Sequence, residues 1–309
     1  MDFHFRTSVR TGRHILFAVA LKLIALHVTV APGTSQAQAF DPAPLAAKVA
    51  EVGDRLSARI GVAVIDAQGK TIWSVRGDER FPLNSTFKAF ACAHLLKQIE
   101  EGRLSKDAAV PVTARDLLAY VPISKKLVGQ GDVALTTLCS AAMTVSDNTA
   151  ANLVLAATGG PEKLTGFLRS SGDDATRLDR YEPELNEAKP GDPRDTTTPI
   201  AAGSTLVRLV FGSSLSSGAK RQLLEWMLNN EVSGRLLRAG LPDGWRVADR
   251  SGAGGHGSRS IVAVVWPPSS QPVVVAVYLT QTPAAFEARN QAIAEIGAAL
   301  GMSLGAGSK

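Results

Sequence analysis

The sequence offers no nucleic-acid surface, no repeat array and no membrane anchor. No basic stripe with interleaved aromatics appears anywhere in the 309 residues, so nucleic-acid binding has no support. There is no internal repeat and no low-complexity linker. The apolar stretch Ile15 to Val30 is interrupted by Lys22 and His27, which argues against a spanning helix. Cysteine is scarce: Cys92 and Cys139 are the two, and neither lies near residue 39 to accept a lipid. In an exported chain they make one disulfide or two inert buried thiols.

The first 39 residues have the form of a signal peptide. Arg6, Arg10 and Arg13 make a basic start, the apolar stretch follows, and Ala37-Gln38-Ala39 is a cleavage signature before Phe40. This leader carries four Lys/Arg against one Asp, so its removal lowers the formal charge from +5 to +2. The basic balance of the whole chain is therefore partly a property of the leader. Residues 40–309 are long enough to bury a substantial core, as one large domain or two interleaved lobes.

Apolar spacing divides that part into β, then α, then β. Residues 43–58 are expected to form an amphipathic helix, and 60–65 and 71–75 two strands joined around Asp66-Ala67-Gln68-Gly69. From 86 to about 230 the spacing is mainly helical. Residues 245–251, 260–266 and 272–280 then read as three strands, and 284–300 as a last helix. The last two strands are almost continuously apolar, which suits a sheet covered on both faces. The fold class expected is α/β, an α+β sandwich. Its antiparallel sheet comes from both chain ends (about 40–80 and 231–309), with an all-helical lobe (about 81–230) inserted and a cleft between the two.

Four segments carry chemistry. Ser85-Thr86-Phe87-Lys88 opens a helical run, which puts Ser85 and Lys88 on one face. A serine needs a neighbouring base to attack, and a partly buried lysine can supply one. The same tetrad also suits an N-cap serine followed by a solvated lysine. Ser146-Asp147-Asn148 lies between two helical runs, where a hydroxyl can relay a proton and a carboxamide can bind an amide. It also suits a plain capping cluster. Arg180-Tyr181-Glu182-Pro183-Glu184-Leu185-Asn186 sits in a long loop ending near Pro199. Glu182 and Asn186 could hold and activate one water, and Arg180 with Asp195 could close the loop by a salt bridge. A solvated acidic loop is the alternative. Finally, Arg250 and Arg259 flank the glycine-rich stretch Ser251-Gly252-Ala253-Gly254-Gly255-His256-Gly257-Ser258. Their forks suit a carboxylate, and the backbone near Ala253 could approach a carbonyl. A flexible hairpin with exposed arginines is the alternative. His256 is expected to be exposed and His94 to be packed within its helix.

Taken together and in this order, the four segments resemble the class A serine β-lactamases over essentially the whole mature chain. The resemblance implies Ser85 as acylated nucleophile, Lys88 as its proton partner and Ser146 as the shuttle to the β-lactam nitrogen. Asn148 would bind the substrate side-chain amide, and Glu182 with Asn186 would hold the deacylating water. The backbone N–H groups of Ser85 and Ala253 match the oxyanion hole. Arg259 and Ser251 match the carboxylate-binding residues, Tyr120 an aromatic wall, and Cys92 with Cys139 a disulfide of many members. Arg250-Ser251-Gly252 stands where lysine usually begins the triad, which is similar to the carbenicillin-hydrolysing branch. Asn84 and Gly254 occupy the places where the carbapenem-hydrolysing subset has cysteines, so that activity is not expected. The implied protein is a periplasmic monomer without metal, cofactor or membrane anchor, hydrolysing penicillins and conferring resistance. The rival readings are a D-Ala-D-Ala peptidase and a β-lactam sensor domain that acylates and stalls.

Overall fold

A computed structural model of the chain describes residues 1, 2, 4, 40–268 and 270–305. The apolar stretch of the leader and Ala37-Gln38-Ala39 lie outside them. Helix α1 (Pro42–Leu56) is started by Asp41, whose carboxylate accepts from Ala43 N, and by Pro42 in the first turn. Its apolar positions Leu45, Val49 and Val52 are buried. It stops short of the expected residue 58, because Ser57 turns into the left-handed region (φ 46°) and its N–H closes on Asp54 O. Strands β1 (Arg59–Asp66) and β2 (Thr71–Val75) follow, turned by Gly69 at φ 90° and by Asp66, which accepts from Gln68 N and Lys70 N.

The middle of the chain holds β3 (Phe81–Pro82), α2 (Phe87–Glu100), β4 (Ala109–Pro111), α3 (Ser124–Leu127) and β5 (Asp132–Ala134). Then come α4 (Leu135–Thr144), α5 (Asn148–Ala157), α6 (Gly160–Ser170), β6 (Thr196–Thr197), α7 (Pro199–Val210), α8 (Ser217–Leu228) and α9 (Leu237–Gly240). The chain closes with β7 (Arg246–Ala253), β8 (Arg259–Trp266), β9 (Val273–Thr280) and α10 (Phe286–Ser303).

Five strands pair antiparallel in the order β2-β1-β9-β8-β7, so the sheet is assembled from both ends of the chain. Alternation along each strand assigns its side chains to two separate cores. Val62, Val64, Ile261, Ala263, Val275 and Val277 meet α1, α9 and α10. Ala63, Ile65, Val262, Val264, Val274 and Ala276 face the helices of the middle segment. Each valine or isoleucine among them removed from water stabilises by about 1.5–3 kcal/mol. Helix α2 is buried from Phe87 to Leu96 on every face, as befits the central helix of its core. Cys92 of α2 and Cys139 of α4 are joined by a disulfide. Two small sheets, β3-β6 and β4-β5, had no clear signal in the apolar spacing. The first matters to the site: it ties Phe81–Pro82, just before Ser85, to the end of the 180–199 loop.

Candidate active site

Asn84, Ser85 and Thr86 form a single 3-10 turn that runs directly into α2, so Ser85 stands just ahead of the helix rather than within it. Lys88 follows in the first helical turn and is fully buried, which rules out the solvated-lysine alternative. Its ammonium donates to Asn148 Oδ1 at 2.6 Å, to Ser146 O at 3.0 Å and to Ser146 Oγ at 3.2 Å. It also lies 3.3 Å from Glu182 Oε1. The Ser85 hydroxyl donates to that same Glu182 oxygen, at 3.3 Å. Burial pushes the Lys88 ammonium down to about 8; the Glu182 carboxylate opposes the shift and the nearby Arg250 adds to it.

The Ser146-Asp147-Asn148 cluster turns out to cap and to serve the site at once. Asp147 is the N-cap of α5, accepting from Ala150 N at 3.0 Å, and it also binds Ile123 N, Ser124 N and Ser124 Oγ. That rigid cap holds its two neighbours toward Lys88. Ser146 itself sits at φ 62°, a left-handed conformation that a serine adopts only when its surroundings enforce it.

Glu182 is 2 % exposed, so the loop is not simply a solvated acidic surface. Its peptide bond to Pro183 is cis. Asn186 Nδ2 donates to Glu182 Oε2. The backbone of Glu182 is held on both sides by Asn152: its N–H donates to Asn152 Oδ1 at 2.9 Å, and Asn152 Nδ2 donates to its carbonyl at 2.8 Å. Asn152 escaped notice in the sequence, although it lies one turn after Asn148 on the same helix face. The loop is closed where Arg180 Nε meets Asp195 Oδ2 at 2.6 Å. Asp195 Oδ1 accepts from Asp179 N and Arg180 N, and Asp179 Oδ2 accepts from Asp195 N in return.

Strand β7 brings the fourth segment alongside. Arg250 is fully buried, and Arg259 is 5 % exposed; neither is a loose hairpin arginine. Arg250 Nη2 donates to Ser146 Oγ, while its Nε and Nη1 have no partner among the described residues. Arg259 is fixed by Gly252 O and Asn290 Oδ1, both at 2.8 Å. Burial lowers both guanidiniums to about 10. Ser251 accepts from Ser233 Oγ at 2.9 Å. Ser233 accepts in turn from Asn230, which also binds the buried Asp249, itself paired with Arg238 at 2.6 Å. None of these four supporting residues carries a motif that spacing alone would reveal. Glycine at 252 is required by contact, since a side chain there would run into Ser85 N.

Ser85, Tyr120, Ser146, Asn148, Asn186, Ser251, Gly252, Ala253 and Arg259 all line one cleft of about 350 Å³. Lys88, Glu182 and Arg250 form its buried floor. Tyr120 is half exposed at the rim. His256 is exposed, and His94 is buried and stacked on Phe167. Among the described residues no cluster of His, Cys, Asp and Glu could hold a metal ion, and no helix is long and apolar enough to cross a membrane.

Comparison with known proteins identifies the family. The β-lactamase enzyme family matches residues 44–303. β-Lactamase PSE-4 of Pseudomonas aeruginosa is 54% identical over 242 residues, covering 78% of this chain and 84% of that one. β-Lactamase AER-1 of Aeromonas hydrophila is 47% identical over 284 residues, 92% of this chain and 93% of that one. Among solved structures, the chromosome-encoded β-lactamase of Vibrio parahaemolyticus superposes with a TM-score of 0.79 at 49% identity, covering 82% and 96% of the two chains. An ancestral class A β-lactamase reaches 0.80 at 50% identity, covering 82% and 98%. With its fold and its relatives in agreement, the chain belongs to the β-lactamase enzyme family, class A.

Proposed function

We propose that the protein hydrolyses the β-lactam amide of penicillins, carbenicillin included, through an acyl-enzyme on Ser85. The observation that carries this is the meeting of Ser85, Lys88 and Ser146 with Glu182 and Asn186 around one buried pocket floor. Ser85 Oγ attacks the lactam carbonyl, and its proton passes to Glu182, to which it is hydrogen-bonded, or to Lys88, which touches the same oxygen. Backbone N–H groups of Ser85 and Ala253 stabilise the oxyanion. The Ser146 oxygen already accepts from Lys88 and Arg250, so its own proton is free to point at the departing nitrogen. The C–N bond breaks as that nitrogen is protonated. Glu182 and Asn186 then position a water that cleaves the Ser85 ester and releases the ring-opened acid. Arg259 and Ser251 receive the carboxylate common to penicillins, and the spare donors of Arg250 favour a second anion.

The Glu182–Asn186 pair favours this reading over a peptidase, which would lack a deacylating water held in this way, and over a sensor, which acylates and stalls. The physiological setting that fits is the periplasm, with a monomer beginning at Phe40 and conferring penicillin resistance. N-terminal sequencing of periplasmic material should begin there.

Mass spectrometry with a penicillin tests the chemistry. Glu182→Ala removes the carboxylate that raises the Lys88 pKa, so a neutral amine remains available and acylation proceeds. The ester then has no base to activate water, and a long-lived adduct on Ser85 is expected. Ser85→Ala should form none. Undiminished turnover by Glu182→Ala would refute the assignment.

A further inference from the structure

Behind the loop that carries Glu182 and Asn186 lies a second pocket, of about 240 Å³. Its walls come from the sheet (Arg59 on β1 and Thr280 on β9), from Arg80 just before β3, and from the loop itself at Lys189, Asp192 and Arg194. The charge there is lopsided. Arg59 is matched by Glu79 at 2.8 Å, and Arg194 by Asp192 at 2.7 Å with Glu187 at 3.9 Å. Arg80 has neutral partners only, Ala175 O at 2.8 Å and Thr196 Oγ1 at 3.0 Å. No described carboxylate lies within 4 Å of Arg80 or of Lys189, although Lys189 feels Glu187 from further away. Two cations therefore face this pocket without a contact counter-ion.

An independent observation points the same way. Thr280 is 2 % exposed, lines the pocket, and its hydroxyl has no hydrogen-bond partner among the described residues. A buried hydroxyl left unpaired is destabilising, and an oxyanion would accept its hydrogen bond. Arginine and lysine supply charge-assisted donors to the same acceptor. The volume suits a phosphate-sized group with some of its water.

We propose that this pocket binds a small multivalent oxyanion of the phosphate class, held by Arg80, Lys189 and the Thr280 hydroxyl. The anion would fasten the 180–199 loop to β3 and β9 from behind. Its consequence for catalysis rests on the role proposed above for Glu182: a fastened loop holds that carboxylate still, and hydrolysis of the acyl-enzyme quickens.

Inorganic phosphate is the probe, exchanged against chloride at constant ionic strength and neutral pH. The thermal midpoint of the wild type should rise saturably with phosphate. Arg259→Ala, which disables anion binding in the catalytic cleft, should leave that rise intact. Lys189→Gln, an exposed change without lost contacts, should weaken the apparent affinity at least tenfold, as expected for a charge-assisted contact of roughly 1.5–3 kcal/mol. Thr280→Val should weaken it further. A rise that never saturates, that keeps its apparent affinity in Lys189→Gln, or that vanishes in Arg259→Ala overturns the site. Because this readout needs no turnover, it stands or falls apart from the catalytic assignment. Single-turnover hydrolysis of the Ser85 ester tests the fastening. Binding without a change in that rate would overturn the coupling and keep the site.

Discussion

Arg250 and Lys88 meet at one atom: each donates to the hydroxyl oxygen of Ser146. Burial lowers the proton affinity of both cations, and Arg250 lowers that of Lys88 further. An arginine at this place carries a planar fork, and two of its donor groups have no partner among the described residues.

Arg250→Lys should therefore cost more with a dianionic penicillin than with a monoanionic one. Lysine preserves the charge and reaches Ser146 but offers no fork. The expected outcome is a fall in kcat/KM for carbenicillin relative to benzylpenicillin of roughly tenfold, the lower end for a lost charge-assisted hydrogen bond. The ratio of the two specificity constants, at one salt concentration, is the measurement. An unmoved ratio would make Arg250 indifferent to the second carboxylate.

Lys88 should leave a signature in stability as well as in rate. Its folded pKa of about 8 lies below the ordinary 10.5. Below about pH 8 both folded and unfolded chains hold the proton, and the buried charge weakens the fold. Between about 8 and 10.5 the unfolded chain keeps a proton that the folded one has released, so stability rises with pH. Denaturation midpoints of wild type and Lys88→Met across this window should show the wild type gaining on the variant. Parallel curves would contradict the shift.

Asn152→Ala removes both clasps on the Glu182 backbone while touching no proposed reacting atom. Two neutral hydrogen bonds are worth about 1–3 kcal/mol together. Hydrolysis of the acyl-enzyme should slow by on the order of tenfold. Acylation should change less, giving a burst followed by a slower steady state. Asn152→Asp, which keeps the acceptor for Glu182 N–H, should recover part of the loss. Equal slowing of both steps would point to general damage instead.

The bridge between Cys92 and Cys139 spans 47 residues and links α2 to α4. Labelling of denatured, unreduced protein should find no free thiol. Replacing both cysteines by alanine should lower stability by about 2–4 kcal/mol. Activity at low temperature should survive, since neither cysteine lines the cleft.

The sheet and the main helices were legible in the sequence because they obey simple periods: unbroken apolar runs at 261–266 and 273–278, helical spacing around Leu45, Val49 and Val52. Ser85, Lys88, Ser146, Glu182 and Asn186 stood out in short motifs, and the structure brings them together; their roles are those proposed above. What escaped was whatever works by tertiary contact alone. Asn290 reaches Arg259 from α10, and Arg238 neutralises Asp249 from α9; nothing local to 290 or 238 announces either role. The β3-β6 pair is two residues long on each side, too short for any period to register.

The order of the strands has a bearing on how the protein is made. Val62 on β1 lies opposite Val277 on β9, so the first strand to be synthesised waits for the last. A β1-β2 hairpin can form early, yet one edge of β1 stays open, with its backbone donors unpaired, until β9 arrives. Pairing at such a separation in sequence is slow. If the chain crosses a membrane stretched out, its maturation must be completed on the far side. A truncation just before Val273 would then leave an adhesive, unfinished edge rather than a smaller working enzyme.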